Sequence, residues 1–203
     1  MTENLYITAS CSIINNVVVK NKEILFENKG IAVQPFLVSV YNHFAINYPR
    51  FYKMDNLSKL GWLATEVLLA NSLDKTSYQP EDIGLLLTNK SSSLDTDIKY
   101  YETVKTIASP ALFVYTLPNI VMGEICIRHN FKGENDFFIF ERFNAKFVQQ
   151  YVTHLFATGA LEVCICGWVE TLDNDYQANL YLVEKKEANN AALFTEENIL
   201  SIL

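Results

Sequence analysis

The chain has 203 residues, half of them hydrophobic, and a formal net charge of -7 at pH 7. That length and apolar content suit one well-buried domain. With 16 Lys and Arg against 23 Asp and Glu, thinly scattered, the sequence offers no basic surface for nucleic acid, and no apolar run approaches the roughly 20 residues that span a bilayer.

Tyr6 to Ile14 and Val17 to Lys20 read as two strands broken at Asn15-Asn16, a pair that tolerates the positive φ of a tight turn. Residues 24–54 hold Pro35, Pro49 and many aromatics in no sustained period, and are expected to be irregular with a strand fragment at most. Leu57, Leu60, Gly61, Ala64, Val67 and Leu68 then fall at helical spacing, which predicts a helix over 57–71 capped by Asp55 or Asn56.

Ile83 to Thr88 is a continuous apolar run of strand length, suited to a sheet covered on both faces. A polar break, Lys90 to Ser93, precedes a helix over 95–107. Ile120 with Ile127, and Val121 with Ile125, mark another helix, ending near His129 and Asn130. Asp136 to Glu141 is an aromatic strand, with Phe137 and Ile139 on one side and Phe138 and Phe140 on the other, a pattern that suits burial on both. A helix over 145–158 follows, with Asn144 as N-cap and Gly159 past its end. Leu161 to Gly167 and Ala178 to Val183 complete the strands, and a short helix lies near 195–202. Strands alternating with helices predict an α/β fold, layered helices on a mixed, mostly parallel sheet.

The start, MTENLYITAS, lacks the basic and apolar regions of a secretory signal, so the cytoplasm is the expected compartment. There Cys11, Cys126, Cys164 and Cys166 are expected to be reduced and mostly buried. His43, His129 and His154 show no zinc spacing with them, and neither a metal nor a cofactor is expected. His154, between Tyr151 and Leu155 on the predicted helix, reads as a boundary residue with one ring nitrogen bonded.

Several segments, in order, resemble the N-terminal half of a β-ketoacyl synthase, of the thiolase-like superfamily. Tyr52-Lys53-Met54-Asp55 resembles that family's Arg-Met-Asp helix start, and Pro80-Glu81-Asp82-Ile83-Gly84 its lead into a core strand. Leu117-Pro118-Asn119, Gly123, Ile127-Arg128 and Lys132-Gly133 resemble its Pro-Asn to Gly-Pro-Asn stretch, and Gly167-Trp168-Val169-Glu170 keeps the ends of its Gly-Gly-Ala-Glu signature while departing in the middle. The resemblance is strongest over 45–171 and implies a thiolase-like half-fold.

Counted without gaps from Gly133, the position of the family's nucleophilic cysteine falls on Arg142. A guanidinium stays protonated and has no lone pair to attack with. A shift of one residue gives Glu141 or Phe143, and no Ser, Thr or Cys occurs between Asp136 and Tyr151. The family's two catalytic histidines belong to a C-terminal half that follows the matched region, so no catalytic residue is assigned. The resemblance therefore implies a non-catalytic subunit, most similar to the shortened chain length factors of aryl polyene and flexirubin-type pigment synthases. Such a subunit pairs with an active β-ketoacyl synthase and meets acyl carrier protein only indirectly. Leu117, Pro118, Asn119, Met122 and Cys126 would approach the partner's acyl pocket, and Phe138, Phe140, Arg142 and Phe143 would form the interface. Two alternatives stay open: an atypical condensing or acyl-transfer enzyme using Cys126, Cys164 or Cys166, and a homodimer that binds an acyl chain. In the family the helix after the cysteine is in the middle of the molecule, so Phe147, Tyr151, Val152 and Phe156 here are expected to need cover, from the 172–203 tail, the 17–49 segment or another chain.

Overall fold

The computed structural model describes residues 4–186 and 191–202. Residues 1–3, 187–190 and 203, the last two groups in the tail named above as cover, lie outside the described residues. In chain order the elements are β1 (Tyr6–Ile14), β2 (Val17–Lys20), β3 (Glu23–Glu27), α1 (Val33–His43), α2 (Asn56–Leu69), β4 (Ile83–Asn89), α3 (Leu94–Val104), α4 (Pro110–Phe113), α5 (Ile120–His129), β5 (Asn135–Ile139), α6 (Ala145–Ala157), β6 (Val163–Leu172), β7 (Asp175–Glu184), β8 (Ala192–Leu193) and α7 (Glu196–Ser201). Among the described residues no helix is long and apolar enough to cross a membrane.

The strands form one mixed sheet in the order β3-β2-β1-β7-β6-β4-β5, with β8 added to the start of β1. Strands β1, β3, β4, β5 and β6 point the same way, yet only β6–β4 and β4–β5 pair in parallel, because β2 and β7 run against both their neighbours. Asn15 and Asn16 stand at φ 50° and 63°, the backbone that a two-residue hairpin requires at both positions. Strands β6 and β7 run longer than their apolar centres indicate, because a hairpin at Asp173-Asn174 pairs them from Leu172 with Asp175 back to Val163 with Glu184.

Residues 24–54 are not irregular: they hold β3, α1 and a 3-10 turn at Pro49–Lys53. Pro35 is the third residue of α1, where its missing N–H would have had no helical partner. Val33, Phe36, Leu37, Val40 and Tyr41 make the buried stripe of that helix.

Helices α1, α2 and α5 cover one face of the sheet. There Ala9, Cys11 and Ile13 of β1 join Leu85, Ile165 and Leu180 in the larger core. The opposite face is covered by α6 and α7, over Ile7, Leu86, Cys164, Cys166, Tyr181 and Val183. A register shift between Ile7 and Ala9 sends these two residues, which simple alternation would put on one face, to opposite sides.

Helix α2 is buried almost all round. Its cap, Asp55, accepts from Ser58 N at 2.9 Å and from Thr96 Oγ1 at 2.7 Å, which ties the start of α2 to α3. Its C-terminal half is clasped to α5: Arg128 meets Glu66 at 2.9 Å, His129 Nε2 lies 3.0 Å from the same carboxylate, and Lys75 Nζ donates to His129 Nδ1 at 2.6 Å. The ring stacks on Phe131 with centroids 5.2 Å apart.

Burial, with Lys75 as a like-charged neighbour, lowers the His129 pKa below its ordinary 6.5 despite the Glu66 carboxylate. An imidazolium could not accept from an ammonium, so folding requires the neutral ring. Below pH 6.5 the unfolded chain binds a proton that the folded one refuses, and stability drops as pH falls toward the lowered value. Burial, the largest influence on Glu66, raises its pKa, but the hydrogen bonds donated by His129 and Arg128, with the Arg128 charge, outweigh it and lower the pKa below 4.5. Its contribution is lost in turn as pH falls below 4.5. Urea midpoints measured from pH 7.5 to 4.5 will decline in the native protein, and H129Q will lose the part of that decline that begins near pH 6.5.

Two expectations about burial are corrected. Strand β5 is not covered on both faces: among the described residues it is an edge strand paired only with β4, Phe137 and Phe138 are half-buried, and Ile139 is 48% exposed. Helix α6 has no apolar back awaiting a second layer. Its outer stripe is Lys146, Gln150 and His154, all exposed, while Val148, Val152 and Phe156 face the sheet. Phe147 and Tyr151 pack sideways on Phe138, with centroids 4.9 and 5.2 Å away. The described part of the tail supplies the remaining cover, with Phe194 and Ile199 in the same core and Tyr181 Oη donating to Ile199 O at 2.9 Å.

Candidate functional site at the turn between β5 and α6

The chain leaves β5 through Phe140, Glu141, Arg142 and Phe143 and enters α6 at Asn144, whose side chain accepts from Phe147 N at 3.0 Å. Arg142 is exposed on this turn, in a cleft of about 350 Å³ shared with Glu141, Phe143 and Glu196. Phe143 turns inward, edge-on to Trp168 with centroids 6.0 Å apart. A cation before a helix N-terminus is unfavourable by a few tenths to about 1 kcal/mol, and the two carboxylates in the cleft oppose that field.

Behind the turn, Glu170 Oε2 accepts from the backbone N–H of Lys90 at 2.6 Å and of Ser91 at 3.0 Å, holding the loop after β4. Thr88 Oγ1 donates to Gly167 O at 2.8 Å. Gly167 stands at φ +148°, and a Cβ there would be 2.0 Å from Asn179 O. Trp168 and Val169, the middle of that tetrad, fit opposite faces: Trp168 against Phe143, Val169 in the larger core beside Gly61. The departure from Gly-Gly-Ala-Glu is thus absorbed by packing.

The turn carries no thiol. Cys11, Cys164 and Cys166 are fully buried in the sheet, with Cys11 pushed up to about 12 by desolvation and Cys166 raised by the same cause. Cys126 on α5 is half-buried, pushed up to about 11 by desolvation, and donates to Asn135 Oδ1 at 3.4 Å. Raised thiols are poor nucleophiles. At pH 7.5 the folded protein will resist iodoacetamide on the time scale that labels all four thiols in urea, by at least about tenfold in rate. Fast stoichiometric labelling of one native cysteine would favour the acyl-transfer alternative.

Neither His129 nor His154 serves the turn. His129 belongs to the Glu66 clasp, and His154 is exposed with no hydrogen bond to its ring among the described residues, contrary to the boundary position expected. No group of three or more metal-ligating side chains occurs among the described residues.

The predicted interface residues separate into two groups. Phe138, Phe140, Arg142 and Phe143 gather on β5 and its turn. Leu117, Pro118 and Asn119 lead into α5 on the other side of the sheet edge, with Leu117 58% exposed. Met122 faces the core at 4% exposure, where it cannot touch another chain. Missing from the prediction are Ile98, Tyr101, Phe113 and Ile127, all exposed, whereas Ile139, 48% exposed, belongs to the 136–143 strand expected at the interface. Leu94, Ile98 and Tyr101 fall at helical spacing, a second apolar stripe legible in the sequence. Glu124 was missed too: buried on α5, it accepts from Tyr115 Oη at 3.1 Å and meets Arg50 at 2.9 Å, fixing the segment before α5.

No protein-family model and no curated protein matches this sequence significantly. Solved structures do match. The ishigamide ketosynthase/chain length factor aligns with a TM-score of 0.62 at 17% identity, over 94% of this chain and 64% of that one. The fold is that of a β-ketoacyl synthase. A β-ketoacyl synthase from Burkholderia phymatum aligns with a TM-score of 0.63 at 11% identity, over 94% of this chain and 62% of that one. The ketosynthase ApeO in complex with its chain length factor ApeC, from Xenorhabdus doucetiae, gives 0.56 at 11% identity, over 90% and 79%. The ketosynthase-fold chain described here thus spans somewhat less than two thirds of the first of these.

Proposed function

We propose that this chain is a non-catalytic ketosynthase-like subunit that pairs with an active β-ketoacyl synthase in polyketide or fatty-acid-type biosynthesis, as a chain length factor does. The observation that carries this reading is Arg142 at the strand-to-helix turn of a ketosynthase fold, where chemistry of this kind requires a nucleophile. The second support is the uncovered edge: β5 has a free side, and Ile139, Ile127 and Leu117 stand exposed around it. Two of the similar structures are described as ketosynthase with chain length factor.

In this reading the whole chain acts as one domain, is cytoplasmic, and binds no cofactor. The β5 edge and the 117–126 region meet the partner and shape its acyl pocket. Carrier protein docks on the partner, because a chain of net charge -7 repels an acidic carrier. Co-expression with the full-length ketosynthase from the same gene neighbourhood tests this. A stable one-to-one complex is expected, with condensation lost when the ketosynthase cysteine is replaced and retained in R142A. Condensation by this chain alone, or no complex with that ketosynthase, would sink the reading.

A further inference from the structure

Six of the seven glycines have a reason within their own chain. Gly30, Gly159 and Gly167 adopt φ of +81°, +73° and +148°, and a Cβ at Gly61, Gly84, Gly133 or Gly167 would come within 2.0 to 2.7 Å of a neighbouring atom. Gly123 has neither reason. It is the fourth residue of the ten-residue helix α5, is exposed, and, its chain neighbours and its own helix backbone aside, has no atom of the described residues within 4 Å of where a Cβ would stand. Alanine inside a helix is favoured over glycine by about fivefold in equilibrium, so this residue works against the free subunit.

The surroundings say what kind of neighbour would need the space. The face of α5 around Gly123 is uncharged: Ile120 precedes it by three residues and Ile127, 60% exposed, follows by four. The helix flanks the free β5 edge, where Cys126 touches Asn135 and Ile139 is exposed, and Leu117 extends the apolar surface on the other side. A small molecule binds in a concavity, and with nothing within 4 Å no wall encloses one. An acidic carrier or a nucleic acid would need cations that this face lacks.

We infer that Gly123 is the point of closest approach between α5 and the ketosynthase-type partner, whose main chain packs against the helix where a Cβ would intrude. This rests on the function proposed above and adds to it the residue that sets the spacing of the two subunits. Small residues let backbones approach one another closely, the principle seen at its plainest in packed helix pairs.

The test is a pair of variants, G123A and G123L, in the full chain, with melting temperature and affinity for the co-expressed ketosynthase measured together. G123A is expected to melt about 2–4 °C higher alone and yet to bind the ketosynthase at least tenfold more weakly, with G123L weaker still. A157L, on the exposed side of α6, serves as control and is expected to bind like the native chain. If the native chain binds and G123L binds equally well, the close approach is wrong while the proposed function stands. Should the native chain bind no ketosynthase, the function itself fails. If the native chain is a homodimer that G123L splits, the assignment to a ketosynthase partner is overturned.

Discussion

Gly167→Ala will cost this protein a large share of its stability. The added Cβ would meet Asn179 O at 2.0 Å and Asn179 C at 3.0 Å, backbone atoms of the neighbouring strand that no rotamer change can move. Opening β6 from β7 to relieve the clash would break the central hairpin. Overpacking of this kind costs about 1–3 kcal/mol, and forcing a side chain into a glycine-only φ of +148° about 1–3 more. A domain holds about 5–15 kcal/mol in all. Thermal melting followed by circular dichroism should show a fall of more than about 10 °C, or no folded protein. Gly159→Ala is the comparison: its φ is +73° but nothing stands within 4 Å, so only the backbone term of about 1–2 kcal/mol applies. Equal melting temperatures for the two variants would refute the steric argument.

Ile139→Lys will abolish the proposed heteromeric complex while leaving the free subunit intact. Ile139 is 48% exposed on a strand with one unpaired edge, so a lysine there keeps its charge in water until a partner arrives. On docking, the ammonium would be buried without a counter-ion, and an apolar anchor would be lost. Central anchors of this sort are worth about 2 kcal/mol or more, a loss of at least about 30-fold in affinity. Calorimetric titration against the ketosynthase reads it. Ile24→Lys on β3, at the far edge of the sheet and 65% exposed, is expected to bind like the native chain. If the two variants behave in reverse, the partner sits on the wrong side of the molecule for the proposed function.

The elements legible in the sequence are those whose signal is local. Asn15-Asn16 announces its turn, Asp55 and Asn144 announce their helices, and the buried run from Ile83 is a strand by composition alone. Helix α1 was equally local and still escaped, because Pro35 reads as a breaker unless its place in the first turn is noticed; Val33, Phe36, Leu37, Val40 and Tyr41 carried the period throughout.

What the sequence withheld depends on which element arrives beside which. That β5 lies at an edge is a property of sheet order, invisible in five aromatic-rich residues. The face switch between Ile7 and Ala9 follows from a register shift against β7, far along the chain. At the turn, the residue type at 142 was plain from the start, whereas the seating of Phe143 on Trp168 and the grip of Glu170 on the loop after β4 required the tertiary fold.

The wet outer stripe of α6 bears on the order of events in a cell. Lys146, Gln150 and His154 face solvent, so a newly made copy has no broad greasy back to hide on that side. If the chain pairs as proposed above, folding and partner capture would be separable on that side, and complex formation would become a matter of concentration, adjustable by how much of each protein is synthesised.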